Sequence, residues 1–389
     1  MAKDLYAALG VKRRINAAGT LTRLGGALMH DEVVAAMVAA ARASVDIGEL
    51  QSAASRAIAK ITGAEAGIVT SGAAAALTLA AAASMARWDI AKMAALPQSE
   101  GFANEILLPR TQRTGYAQAL RAAGARLVDI GHNDRGTGAG VRGLEAWEIE
   151  SAITPRTAAF AFSANPTNVL DFSVVVKACK AKNIPVIVDA AAQLPPKSNL
   201  KRFFQLGADL VVFSGGKAIG GPQASGILAG RRDLVGSALV QQLDMDVPPE
   251  SWTPPALIDV KKMKGIPHHG LGRGFKVGKE EIAGLLVALE RFARSDDKAS
   301  NAALERRLEK IARGLKGRIV PASETGRVPQ LHLNVKNPAA VSRKLQAGNP
   351  PVHVSERHAA RGLLVVDLQA LRPADDAALA AALRRVIHA

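Results

Sequence analysis

The sequence predicts an α/β protein, a mainly parallel sheet covered by helices on both faces and followed by a smaller α+β C-terminal domain. Three observations carry this. Between about residues 60 and 230, short runs rich in β-branched residues alternate with helical patterns. Those runs are continuously apolar, as strands buried on both faces require. The segments between most of them are long enough for the crossover helices that parallel neighbours need.

Taken in order, AGIVT (66–70) reads as the first strand and leads through Ser71-Gly72 into the alanine-rich segment 73–86. That segment is too short to span a membrane and reads as a buried helix. EILLP (105–109) precedes a helix around 115–123, RLVDI (126–130) ends at a glycine, and TAAFAF (157–162) precedes a helix around 173–181. IPVIVD (184–189), a helix around 199–206, ADLVVFS (208–214) and ASGILAG (224–230) complete the series. A stretch rich in Pro and Gly, 244–275, connects to the amphipathic helix KEEIAGLLVALERFARS and a second helix around 299–315. The strands QLHLNV (330–335) and GLLVVDL (362–368) and a last helix around 374–387 form the smaller α+β part.

Composition limits the function. The 389 residues are 48% apolar, which fits a globular chain rather than a disordered or fibrous one. Fifty basic residues against 34 acidic ones give a net charge of +16, which raises the question of an anionic partner. The basic residues are scattered, however, from Lys12, Arg13 and Arg14 to Lys261, Lys262 and Lys264 and the helix faces around Arg306, Arg307 and Lys310. A nucleic-acid footprint needs a contiguous stripe, and base stacking needs more aromatics than the 4% present. Nucleic acid is therefore not the expected partner. The single cysteine, Cys179, excludes an intrachain disulfide and a thiolate metal cage, and it reads as packed core. Together with the lack of a signal peptide or an apolar run of about 18 residues, it points to the cytoplasm and away from a membrane. His268 and His269 are adjacent and point to opposite sides with no third ligand in register, so no metal site is expected.

In such sheets ligands gather at the carboxyl ends of the strands. Asp189 ends one strand, and Lys217 follows the next in a Ser-Gly-Gly-Lys turn, so both stand at that edge. An acid and an amine placed this way suit pyridoxal 5'-phosphate. The lysine makes the Schiff base, and the carboxylate keeps the pyridine nitrogen protonated so that the ring withdraws electrons. Ser71, Gly72 and Ala73 stand where a strand meets a helix N-terminus, whose free N–H groups and dipole favour a phosphate. Alone, a serine there reads as an ordinary cap. With Asp189 and Lys217 at the same edge it becomes one part of a set of three, and Ser214 adds a hydroxyl for the phosphate.

At these residues the chain resembles a family, the fold-type I pyridoxal-phosphate enzymes of the branch containing bacterial selenocysteine synthase and D-glucosaminate-6-phosphate ammonia-lyase. The resembling segments are INAAGTLTRLGG (15–26), ELQSAASRAIAKITGAEAGIVTSGAAAAL (49–77), VIVDAAAQLPP (186–196), DLVVFSGGKAIGGPQASGILAG (209–230) and GLGRGFKVGKEEIAGLLVAL (270–289). The resemblance implies a seven-stranded sheet in a large cofactor domain and an active site at the interface of a homodimer or higher homo-oligomer. It divides the chain into an arm and part of the small domain at 1–48, the cofactor domain at 49–265, and an interface segment with the small domain at 266–389. It makes Lys217 and Asp189 catalytic, with Ser71, Gly72, Ala73, Ser214 and Asn165 around the cofactor. Gln112, in LLPRTQRTGY, stands where the family carries a histidine over the ring; an amide covers a ring face but is no comparable acid or base. Arg23, Arg113, Arg273, Lys276 and Arg357 are the candidates for anionic substrate groups, guanidinium suiting a carboxylate by bidentate bonding.

The expected function is a lyase that removes the α-proton of a polar, possibly phosphorylated, hydroxy-amino acid, expels the β-hydroxyl and releases ammonia and a 2-oxo acid. Racemase, aldolase and aminotransferase activities share its first steps. A selenocysteine synthase-like transfer on seryl-tRNA would use the positive charge, but the fold begins almost at residue 1 and leaves no room for an added tRNA-binding region. A non-enzymatic binding protein is disfavoured by the retention of Asp189, Lys217 and the phosphate loop together.

Overall fold

The computed structural model describes residues 4–133 and 143–387. The chain forms two compact units, one of Met29–Ala293 and a smaller one that joins Met1–Leu28 to Arg294–Ala389. The first strand, β1 (Ile15–Ala17), belongs to the smaller unit.

In the larger unit β2 (Ala66–Thr70), β3 (Glu105–Pro109), β4 (Arg126–Ile130), β5 (Thr157–Ser163), β6 (Val186–Asp189), β7 (Leu210–Ser214) and β8 (Gly226–Gly230) form one sheet. Its order is β2-β8-β7-β6-β5-β3-β4. Neighbours from β7 to β4 run parallel, whereas β8 is antiparallel to both β7 and β2. The reason is local: no helix separates β7 from β8, so the chain turns back instead of crossing over. Two reversals leave β2 running with β7. The carboxyl ends of β2, β3, β5, β6 and β7 therefore share one edge with the amino end of β8.

The continuous apolar strands have the cause expected of them. Ile68, Ile187, Val212 and Leu228 pack on one face with the helices Ala73–Ala86 and Arg232–Gln242. Val69, Val188, Val211, Phe213 and Ile227 pack on the other, against Ile47–Thr62, Val169–Lys180 and Lys279–Arg294. Each fully buried large side chain contributes about 1.5–3 kcal/mol. Helix Ala73–Ala86 is buried from Ala76 to Ala86 on every side, which is why its apolar residues show no stripe. No helix among the described residues is long and apolar enough to cross a membrane.

In the smaller unit β1 pairs in parallel with β11 (Val352–Val354), while β12 (Leu363–Val366) and β9 (Gly317–Val320) flank β10 (Gln330–Asn334) in antiparallel fashion. Bridges between Ala18 and Asp367 and between Ser355 and Val365 join the two pieces. Ile15, Ala17, Leu331, Leu333, Val352, Val354, Leu364 and Val366 face a core completed by Leu308, Leu345, Leu379 and Leu383. Alternation then turns Asn16, Gln330, His332, His353 and Asp367 to the opposite face. The short strands β1, β9 and β11 have no signal in the sequence, because three or four residues carry no measurable period.

Candidate active site

Strand register assembles the site. Thr70 and Ser214 are both paired to Gly226, Asp189 is paired to Val212, and Ser163 to Asp189. The last residues of β2, β5, β6 and β7 thus form two adjoining rows at the common edge, with Ser71–Gly72 and the turn carrying Lys217 immediately beyond.

At the end of β2, Gly72 begins helix Ala73–Ala86 with φ +133° and no side-chain cap. Nothing lies within 4 Å of the place its Cβ would occupy, so a cradle opens beside the N–H groups of the first turn. Ser71 is tied at its hydroxyl, which donates to the Phe275 carbonyl at 2.7 Å, and Thr70 donates to the Gly72 carbonyl at 2.9 Å. Gly226 braces the loop from beneath: a Cβ there would stand 2.5 Å from the Gly72 carbonyl carbon and 2.7 Å from the Ala73 nitrogen. No motif in the sequence singles out Gly226. Its need for glycine arises from a segment more than 150 residues earlier in the chain.

Asp189 is held by a backbone donor, the Ala191 N–H, at 3.0 Å. Burial pushes its carboxyl above the ordinary range, while that N–H and the Lys217 ammonium pull it back. Acid and amine are therefore electrostatically coupled. Gln112 is buried, and its side-chain oxygen accepts from the Ser163 N–H at 2.7 Å. Because Ser163 is the register partner of Asp189, this bond brings Gln112 to the acid. The two share a recess with Leu77, Thr114, Tyr116, Ala161, Ser163 and Ile187. Ser163, which fixes the amide, escapes sequence reading because its role lies in its backbone.

The other expected residues fall in three places. Asn165 closes its own loop: its side-chain oxygen accepts from the Thr167 N–H and hydroxyl and from the Asn168 N–H. Arg113 is engaged by Asp129 at 2.7 Å on β4, and Arg273 by Asp244 at 2.9 Å. Arg273 and Lys276 line a second recess of about 180 Å³ with Gln51 and Gln242. Gln51 and Gln242 both donate to the Val69 carbonyl, so they steady the strand that delivers the phosphate loop. Arg23 and Arg357 belong to the smaller unit.

Pyridoxal phosphate makes three demands, and the residues fit each of them. An open cradle at a helix N-terminus suits its phosphate, a half-buried carboxyl suits its ring nitrogen, and an amine coupled to that carboxyl suits its aldehyde. The family model described as Aminotransferase class-V matches residues 30–294. The chain is 29% identical to the D-glucosaminate-6-phosphate ammonia lyase of Salmonella typhimurium, over 99% of this chain and 98% of that one. It is 31% identical to the 5'-C-glycyluridine monooxygenase-decarboxylase of a Streptomyces species, over 95% of this chain and 88% of the relative. A solved structure of D-glucosaminate-6-phosphate ammonia-lyase superposes with a TM-score of 0.80 at 28% identity, covering 100% of this chain and 99% of that one.

Proposed function

The chain belongs to the Aminotransferase class-V family and depends on pyridoxal phosphate, and from that premise we propose that it is an ammonia-lyase acting on a polar hydroxy-amino acid. The observation that carries this reading is the coupling of Asp189 and Lys217 on adjacent strands at the edge where the Gly72 cradle opens. When bound, the cofactor supplies an electron sink for the charge left at the α-carbon. Lys217 takes the α-proton and returns a proton later, Asp189 holds a positive charge at the ring nitrogen, and Gln112 orients without titrating. The α-proton and the β-hydroxyl leave as water. Hydrolysis of the remaining unsaturated amine takes up one water and releases ammonia and the 2-oxo acid, so no oxidant is consumed.

The Ser71–Ala73 loop with Ser214 is the phosphate holder in this reading, and Asn165 shapes the loop beside Ser163. Arg23 and Arg357 are kept as substrate ligands, with Arg113, Arg273 and Lys276 as further cations, the first two already engaged by carboxylates. Exposed apolar residues one turn apart on helix Asp31–Ala41, Val34 and Val38, support a homodimer. The single, buried cysteine supports a reducing, cytoplasmic setting.

The test is a screen of hydroxy-amino acids of both configurations, with and without phosphate, scoring ammonia and 2-oxo acid. Proton exchange without product would replace the lyase by a racemase, and release of an aldehyde by an aldolase. Oxygen uptake with decarboxylation would align the chain with its Streptomyces relative instead.

A further inference from the structure

Strand β2 delivers the phosphate loop, yet it is the outermost strand on its side of the sheet, with β8 as its one neighbour. On the open side of such a strand the backbone N–H and C=O groups lack ladder partners. Side chains supply them here. The Gly67 N–H donates to the Ser55 hydroxyl at 3.1 Å, and the Val69 N–H donates to the Gln51 side-chain oxygen at 3.0 Å. The same Gln51 returns its amide N–H to the Val69 carbonyl at 2.7 Å. Gln51 therefore holds Val69 by both backbone groups, as a residue of a neighbouring strand would. Gln51 and Ser55 stand one turn apart on helix Ile47–Thr62. That helix lies close because Gly67 has no side chain: a Cβ there would sit 2.4 Å from Ile58 Cγ2.

A second amide reaches the same carbonyl from the opposite face of the sheet. Gln242, the last residue of helix Arg232–Gln242, donates to it at 3.2 Å and engages the oxygen's other lone pair. Gln51 is 1% exposed and Gln242 5%, so water does not compete for these bonds. Val69 stands two residues before Ser71, whose hydroxyl is tied to the Phe275 carbonyl. The cradle is thus fixed where the chain enters it, at Val69, and again at Ser71. Backbone N–H groups hold an anion well only at good distance and angle, so a small shift of the strand end would spoil the cradle without any change in a group that touches the ligand.

We propose that Gln51 and Gln242 are positioning residues for the cofactor's phosphate, acting through Val69 in place of a missing strand to set the N–H groups beside Gly72. The proposal rests on the reading of that cradle as the phosphate holder. Ser55 serves the same strand edge but grips Gly67, two residues further from the loop, and contributes stability alone. The contrast between two side chains one helical turn apart separates positioning from mere support.

The test titrates pyridoxal 5'-phosphate and pyridoxal, which differ only by the phosphate, into the full chain freed of cofactor, and records each variant's melting temperature. Gln242→Leu should lower the preference for the phosphorylated form about threefold, the loss of one hydrogen bond. Gln51→Leu should lower it about tenfold or more, because it also leaves the buried Val69 N–H unmet. Ser55→Ala should lower the melting temperature and leave the preference as it was. Gln242→Leu keeps the Gln51 clamp, so it tests the assignment even if Gln51→Leu does not fold. A preference unmoved in Gln242→Leu, or one that falls as far in Ser55→Ala, would overturn the assignment. Gly72→Ala separates it from the reading beneath it. A preference that falls in Gly72→Ala but in neither glutamine variant removes the positioning role and keeps the cradle, whereas one that Gly72→Ala leaves unchanged removes both.

Discussion

At the carboxyl edge of the larger unit an anion meets backbone: an uncapped helix start, an open space at Gly72, and a glycine at 226 that lets the loop sit low. On the polar face of the smaller unit the groups withdrawn from solvent are side chains: Asn16, His353 and Asp367 are buried there, and the Gln330 amide and the Gln369 N–H hold the Asp367 carboxyl. The first arrangement is built of backbone, and it suits the phosphate of a cofactor that stays. The second is built of side chains tied to one another. Binding by backbone geometry is sensitive to a misplaced atom, as a Cβ at Gly226 would be.

Variants can break this comparison, beginning with the largest effect. Lys217→Ala should lower ammonia release by about 10³-fold or more, as the loss of both the covalent anchor and the proton carrier requires. Asp189→Asn should lower turnover by about 10²-fold, measured by the same release.

The same residue makes a prediction about pH. Burial raises the Asp189 carboxyl in the folded state, so the native chain binds a proton there more readily than the unfolded chain. Stability from this group therefore falls as pH rises from the ordinary carboxylate range through the raised value, and stays lowered above it. In protein freed of cofactor, Asp189→Asn should melt at a higher temperature than the parent at neutral pH, with the gap closing in acid. An unchanged gap across that range would remove burial as the cause.

Gly226→Ala should cost about 1–3 kcal/mol, because the methyl meets backbone that cannot turn aside. Its signature is a lower melting temperature together with weaker cofactor retention. Arg113→Ala is the smallest change. Since its guanidinium is spent on Asp129 at the surface, about 1 kcal/mol or less of stability and little change in KM are expected. A large rise in KM would return Arg113 to the substrate.

The two regions also differ in how far they could be read in advance. Strands β2 to β8 were legible because each is a contiguous apolar run, and Asp189, Lys217 and the Ser71–Ala73 loop were legible because each stands at a fixed offset from the end of one. Gln112 was legible only as a position. Its tie to Ser163, and through the β5–β6 register to Asp189, depends on two strands and on the turn that follows β3. Asp367 read as the end of an ordinary strand, GLLVVDL, though its carboxyl is held by the Gln330 amide and the Gln369 N–H.

The sequence by itself determined the layered α/β arrangement, the edge at which chemistry sits and the acid and amine that do it, because hydrophobic periodicity and strand-end position are local properties. Tertiary structure alone decided which glycine supports the phosphate loop and which arginines are already spent on carboxylates. Those facts come from contacts between residues far apart in the chain, such as Gly72 with Gly226 and Asn16 with His353. The scattered charge of +16 takes its local meaning the same way, since Arg14 becomes a neighbour of His353 only when β1 pairs with β11.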